Sequence, residues 1–210
     1  EAHAIKAQIL LQDGEADAAA DEVAIALKLD PDSYETNRSA GRLSYQSHRH
    51  EDAIRYYENA VKLTDADVNS AMMLISCYTA VGDAVGKRRA AELALKRTES
   101  VLAQDQYNSG VTAYSAYALA ALGEGERAKA RMERTLLIDP ENFNTRYNFA
   151  CALSVHLKDK QAALDMLDRC DALNEAREAE AKEGGNPYIP LNIGVGLNTG
   201  NCVVGNMGSD

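Results

Sequence analysis

An all-α chain assembled from stacked helix pairs is the fold class this sequence predicts, and three observations carry the prediction. The first is an internal repeat: Ala19, Val23, Ala26 and Leu29 recur as Ala53, Tyr57, Ala60 and Leu63, a period of about 34 residues. A fixed period of this length marks a chain built from one supersecondary unit used again and again. The second is punctuation. Gly14, Gly82 and Gly123 separate amphipathic stretches, and the steps Asp30-Pro31 and Asp139-Pro140 close them. Proline cannot continue a helix, and it biases the residue before it out of the helical region. The third is composition. The chain of 210 residues is 46% hydrophobic, lacks tryptophan and is rich in alanine, which suits close helix-on-helix packing in a globular protein.

The elements follow in order. Five two-helix units are expected, at roughly 1–33, 34–67, 68–108, 109–142 and 143–173. In the second unit, Gly41 falls within the first helix, where a paired helix comes close. The third unit is longer than its neighbours, and GDAVGKRRAAELALKRTESVL predicts a second helix about two turns longer than the others. The fourth repeats the pattern as Ala128, Met132, Thr135 and Ile138 before Asp139-Pro140. The fifth keeps Ala162 and Met166 but has no closing Asp-Pro. Beyond it, Glu175 to Lys182 reads as a solvated helix face with charge partners at i,i+4. Pro187 and Pro190 then exclude a helix, and PLNIGVGLN and NCVVGNM read as two strands joined at Thr199-Gly200-Asn201. The expected organisation is a repeat domain over 1–173, then a helix extension with a short C-terminal β-hairpin over 174–210.

Small residues at helix contacts, the length of the period and proline after the second helix resemble the tetratricopeptide repeat (TPR) family. The resemblance covers about four-fifths of the chain and is strongest in the first, second and fourth units. It implies a TPR-like right-handed superhelix of about five helix-turn-helix repeats, with the first helix of each pair lining a concave groove. It also implies a protein or peptide as the partner in that groove. The family's groove positions fall on Arg38, Arg42 and Tyr45 in the second unit and on Asn69 and Met72 in the third. They fall on Tyr117 in the fourth and on Asn144 and Tyr147 in the fifth. Chaperone-binding relatives hold a terminal carboxylate with a Lys and an Asn. Here Arg38 and Arg42 stand in those places, in one unit only, so the groove reads as polar-aromatic and not as that clamp. The alternative for the two arginines is a solvated surface pair one turn apart.

The closing segment obeys different rules. Gly196, Asn198, Gly200, Gly205, Asn206 and Gly208, with Ile193, Thr199, Val203 and Asp210 among them, resemble a strand pair of the class III adenylate/guanylate cyclase catalytic domain. For a parent protein, that resemblance implies cyclic AMP production from ATP with divalent metal. In such a cyclase two aspartates on preceding strands hold the metals, and an Asn and an Arg follow the hairpin. Repeat helices precede the segment here, and the sequence stops at Asp210. The chain alone is therefore expected to lack catalytic residues, metal ligands and any cofactor, with divalent metal implied only for a complete cyclase. Completion by a partner chain and a free-standing adaptor are the rival readings; a plain hairpin without function is the bland one. Two unpaired strands present open edges, so self-association through the hairpin is one expectation. The glycines do not form a dinucleotide fingerprint, because G-x-G-x-x-x-G is one residue too long and a strand follows it.

Bulk properties exclude other classes. A net charge of −10 repels phosphate backbones and anionic lipid, so neither nucleic acid nor a membrane surface is expected as partner. No apolar run reaches the ~18 residues of a membrane span. Cys77, Cys151, Cys170 and Cys202 lie far apart, which fits reduced structural thiols in a cytoplasmic protein. His48, Arg49 and His50 fall in a turn between paired helices and read as solvated, not as metal ligands.

Overall fold

The computed structural model describes residues 1–185, and among them every regular element is α-helical. The ten helices are α1 (Ala2–Gln12), α2 (Ala16–Leu29), α3 (Tyr34–Gln46), α4 (His50–Leu63), α5 (Val68–Ala80), α6 (Ala84–Leu102), α7 (Ser109–Ala121), α8 (Gly125–Ile138), α9 (Phe143–Val155) and α10 (Lys160–Gly184). They form five antiparallel pairs. The chain divides into two compact units, Glu1–Gln106 with α1 to α6 and a second that begins at Tyr107. In the first unit each pair packs on the next, α2 on α3 and α4 on α5. In the second, α9 packs on α7 and α10 closes against α9. The expected β-hairpin, with Gly196, Asn198, Gly200, Gly205, Asn206 and Gly208, lies outside the described residues.

The repeat is written into the helix ends. Ser33, Asp67, Asn108 and Asn142 cap α3, α5, α7 and α9, each accepting the backbone N–H three residues on, from Thr36, Ser70, Val111 and Thr145. Such a side chain satisfies one of the amides a helix start leaves without a partner. The turn inside each pair needs a left-handed residue. Gly14, Gly82 and Gly123 supply it with φ of 78°, 75° and 82°. In the other two pairs His48 and Lys158 take the same conformation, at φ of 56° and 58°, and bear the cost of a side chain there.

The third unit departs from the others as its length predicts, though by less. α6 has 19 residues against 14 in α2, α4 and α8, so it gains about a turn and a half and not two turns. The rest of the insertion lengthens the loop over 103–108. α10 runs unbroken for 25 residues across position 173, where the repeat domain is expected to end.

Alanine forms the core at the crossings. Ala7, Ala19, Ala53, Ala60, Ala91, Ala94, Ala116 and Ala128 are wholly buried. Glycine permits the tightest approaches: a Cβ at Gly41 would lie 2.8 Å from the ring of Tyr57, itself 1% exposed, and one at Gly86 would lie 2.5 Å from the ring of Tyr78. Carbonyls at the junctions between pairs need donors, and polar side chains reach back to supply them. Asn37 Nδ2 donates to the Pro31 carbonyl (2.8 Å) and the Ser33 carbonyl (2.9 Å). Arg146 donates from Nη2 to the Pro140 carbonyl at 2.7 Å. At the middle junction Ala71 stands where Asn37 stands one unit earlier, and cannot donate. Arg97 of α6 replaces it, giving Nη1 to the Asp67 carbonyl (2.7 Å) and Nη2 to the Val61 carbonyl (2.6 Å).

Two outcomes follow for stability. Arg97→Met should lower unfolding free energy by about 2–3 kcal/mol in urea titration, because it strands two buried carbonyls. Gly41→Ala gains about 1 kcal/mol of helix propensity but overlaps the Tyr57 ring, which costs about 1–3 kcal/mol. The expected result is a net loss, read as a lower midpoint in the same titration.

Candidate functional site

The first helices of successive pairs carry the residues expected to meet a partner, and each unit is described by itself. In the first unit α1 and α3 are joined by a polar ladder. Ser39 Oγ donates to the Ala4 carbonyl at 3.0 Å and accepts from Gln8 Nε2 at 2.9 Å. Gln8 Nε2 also donates to Glu35 Oε2 at 3.1 Å. Arg38 Nη2 closes the ladder, donating to Gln8 Oε1 at 2.8 Å and to Glu35 Oε2 at 2.9 Å. The Arg38 guanidinium also lies 5.7 Å from the centre of the Tyr34 ring. Burial and the neighbouring Asp67 carboxylate push the Tyr34 hydroxyl up to about 12, so it stays protonated. Arg38 is thus held by its own helix and by α1, its charge offset by Glu35.

Arg42 lies one turn further along α3. It is half-buried and makes no hydrogen bond or ion pair among the described residues. Tyr45, another turn on, is half-buried with its ring 5.5 Å from that of His50. On α5 Asn69 is exposed, whereas Met72 is 9% exposed and belongs to the core, offering a partner little surface. Of the two arginines, only Arg42 therefore presents an uncompensated charge.

In the second unit Tyr117 of α7 is half-buried, its ring edge-on to His156 at 5.0 Å. Asn144 on α9 is exposed. Tyr147, one turn on, is half-buried and hydrogen-bonds the thiol of Cys151. Burial outweighs that bond and pushes the Cys151 thiol up to about 11. Burial likewise pushes the Cys77 thiol up to about 12. Cys77, Cys151 and Cys170 form no disulfide.

Among the described residues no group of three His, Cys, Asp or Glu side chains could hold a metal ion, and no helix is long and apolar enough to cross a membrane. His48 is exposed in its turn and His50 opens α4, the pair 6.0 Å apart at their ring centres. Two residues that engage Arg38, Gln8 and Tyr34, are absent from the residues expected as a site. Gln8 was legible, because it stands one full repeat before Arg42. Tyr34 was legible too, since it stands four residues before Arg38 on the same helix, one turn away.

Helix pairs with small residues at their crossings, capped first helices and a left-handed turn inside each pair define the tetratricopeptide-repeat class of fold. Solved structures bear this out. TTC0263, a thermophilic TPR protein of Thermus thermophilus, matches 86% of this chain over 97% of its own, with TM-score 0.56 at 19% identity. YrrB, described as a TPR protein with an unusual peptide-binding site, matches 86% over 90% of its own length, with TM-score 0.51 at 18% identity. MamA matches 84% over 96% of its own, with TM-score 0.51 at 19% identity. At these identities the likeness is one of fold. No family model and no curated protein matches the chain.

The thiol positions generate a direct test. A raised thiol pKa leaves almost no thiolate near neutral pH, and thiolate is the reacting species. Cys77 and Cys151 should therefore resist iodoacetamide in the folded protein at about pH 8 and react fully in denaturant. Peptide mass mapping of the alkylated sites reads the outcome.

Proposed function

We propose that this chain is a protein–protein interaction module that holds an extended peptide or a partner helix against the first helices of its pairs. The observation that carries the reading is Arg42: a half-buried guanidinium without a counter-ion among the described residues, set between the Arg38 ladder and the Tyr45 ring. A half-buried charge attracts an anionic group more strongly than one fully in water. Tyr45 in the first unit, and Tyr117 and Tyr147 in the second, would each supply rigid contact area of the kind that anchors peptides within their own unit. The TPR fold supports the same reading, since YrrB, described as carrying a peptide-binding site, has that fold too. The right-handed superhelix and the C-terminal hairpin expected from the sequence, and a cytoplasmic location, belong to this proposal.

A finer reading links the module to a class III nucleotide cyclase. It rests on residues 193–210, with Gly196, Asn198, Gly200, Gly205, Asn206 and Gly208, as sequence alone. On this reading the chain is a scaffold or regulatory part of a protein that makes cyclic AMP, and is not itself competent.

Panning a random peptide library on the full chain should return binders that Arg42→Glu weakens about tenfold or more, worth about 1.4 kcal/mol. Enrichment of nothing, or of peptides indifferent to Arg42→Glu and to Tyr147→Ala, would overturn the module reading. For the finer reading, purified chain with ATP and manganese should form no cyclic product. Turnover would instead make the chain an enzyme in its own right.

A further inference from the structure

Arg38 and Arg42 stand one turn apart on one face of α3, and they differ in how their charge is held. Arg38 is engaged inside the fold. Its Nη2 donates to Glu35 Oε2 at 2.9 Å and to Gln8 Oε1 at 2.8 Å, and its Nε is buried. Glu35 is fixed in turn, because the same Oε2 accepts from Gln8 Nε2 at 3.1 Å. The side chains of Arg38 and Glu35 are 33% and 29% exposed, so the pair lies where a ligand would meet it. An exposed ion pair between residues three apart is usually loose, but here Gln8 of α1 holds both members from a second helix. Arg42 is half-buried and has no such partner among the described residues.

Among the described residues this face of α3 therefore carries one uncompensated positive charge and not two. A single carboxylate on Arg42 is balanced. A second negative charge carried toward Arg38 meets a guanidinium already matched, with the Glu35 carboxylate beside it. Glu35 and Arg42 are about two turns or ~10 Å apart along the axis, close to the ~10 Å Debye length of ~0.1 M salt, so the repulsion reaches Arg42 as well. The net charge of −10 adds to the same bias. We propose that Glu35 sets the charge of the ligand: this face takes a peptide segment with a single carboxylate side chain, received by Arg42, and disfavours paired negative charge, whether two neighbouring acids or a phosphorylated residue. Glu35 does not touch the carboxylate that Arg42 receives. It acts by neutralising Arg38, with Gln8 holding it in place. The inference rests on the module reading and adds to it the class of ligand.

A random peptide library panned on the full chain supplies the probes. One binder that carries a single Asp or Glu and is weakened by Arg42→Glu is compared with two synthetic derivatives. The first has a second Glu beside the acid, and the other has phosphoserine in its place. Isothermal titration in dilute salt reads the three affinities. On the parent chain each derivative should bind at least about threefold more weakly than the single acid. Glu35→Gln leaves Arg38 without its counter-charge, so both derivatives should then bind more tightly than the single acid, a swing of at least about tenfold. Arg38→Gln leaves Glu35 unmatched instead and should deepen the parent's penalty, which tests the proposal even where Glu35→Gln does not fold. Thermal melts followed by circular dichroism check both variants. Arg42-dependent binders whose charge preference is the same in the parent, Glu35→Gln and Arg38→Gln would overturn this inference and leave the module reading standing. So would Arg42-dependent binders that carry paired acids, or no acidic side chain. Absence of any Arg42-dependent binder would remove the module reading and this inference with it.

Discussion

Close approach of helix backbones is the constraint on which this structure depends. Large side chains such as Tyr57, Ile75, Leu119 and Phe149 are buried, but much of the contact between helices is made by small ones. The pairs meet along rows of alanine such as Ala53, Ala60 and Ala94, with Gly41 where even a methyl group would collide with Tyr57. Burying a small side chain costs little rotamer entropy, and short distances between backbones raise the number of atoms in contact. The gain per contact is small, so the fold needs many such contacts in sequence. That explains why the repeat persists through units whose other features have drifted.

Tight packing of backbones creates a second demand. Where one pair passes to the next, carbonyls are withdrawn from water and must find donors. The chain meets this demand three times with different residues: Asn37, Arg97 and Arg146. Two of the three act from the first helix that follows the junction. The third acts from α6, the second helix of its pair, because Ala71 cannot donate at the usual place. The polar ladder of Gln8, Glu35, Arg38 and Ser39 adds a specific bond pattern to the α1–α3 contact, where alanine packing alone would specify register weakly.

Much of the fold was legible in the sequence because its signals are local and periodic. Glycine at 14, 82 and 123 marks turns whose φ no other residue adopts freely, and Asp-Pro steps mark helix ends. The turns at His48 and Lys158 were legible only through the period, since neither residue favours a left-handed backbone. The added length of α6 was legible in kind but overestimated, because part of the insertion entered a loop, and composition does not say where a helix stops. The candidate site was legible as positions and not as states. Counting along the repeat placed Arg38 and Arg42 side by side, but only coordinates separate an arginine engaged by Glu35 from one left without a counter-ion. Met72 shows the same limit: its helix position suggested a surface, and its surroundings bury it. Arg97 gave no local cue, since its role follows from a deficiency on the preceding helix, at Ala71.

That long-range substitution has a consequence for how the chain comes apart. A helix pair closed by its own donor can be lifted out or exchanged as a module. The second and third pairs cannot, because unwinding α6 strips the donor from the Val61 carbonyl of α4 and from the Asp67 carbonyl that opens α5, and cutting between them removes a guanidinium from the place that needs it. Any recombination of these repeats, whether by evolution or in the laboratory, has to carry α4 through α6 as one indivisible block.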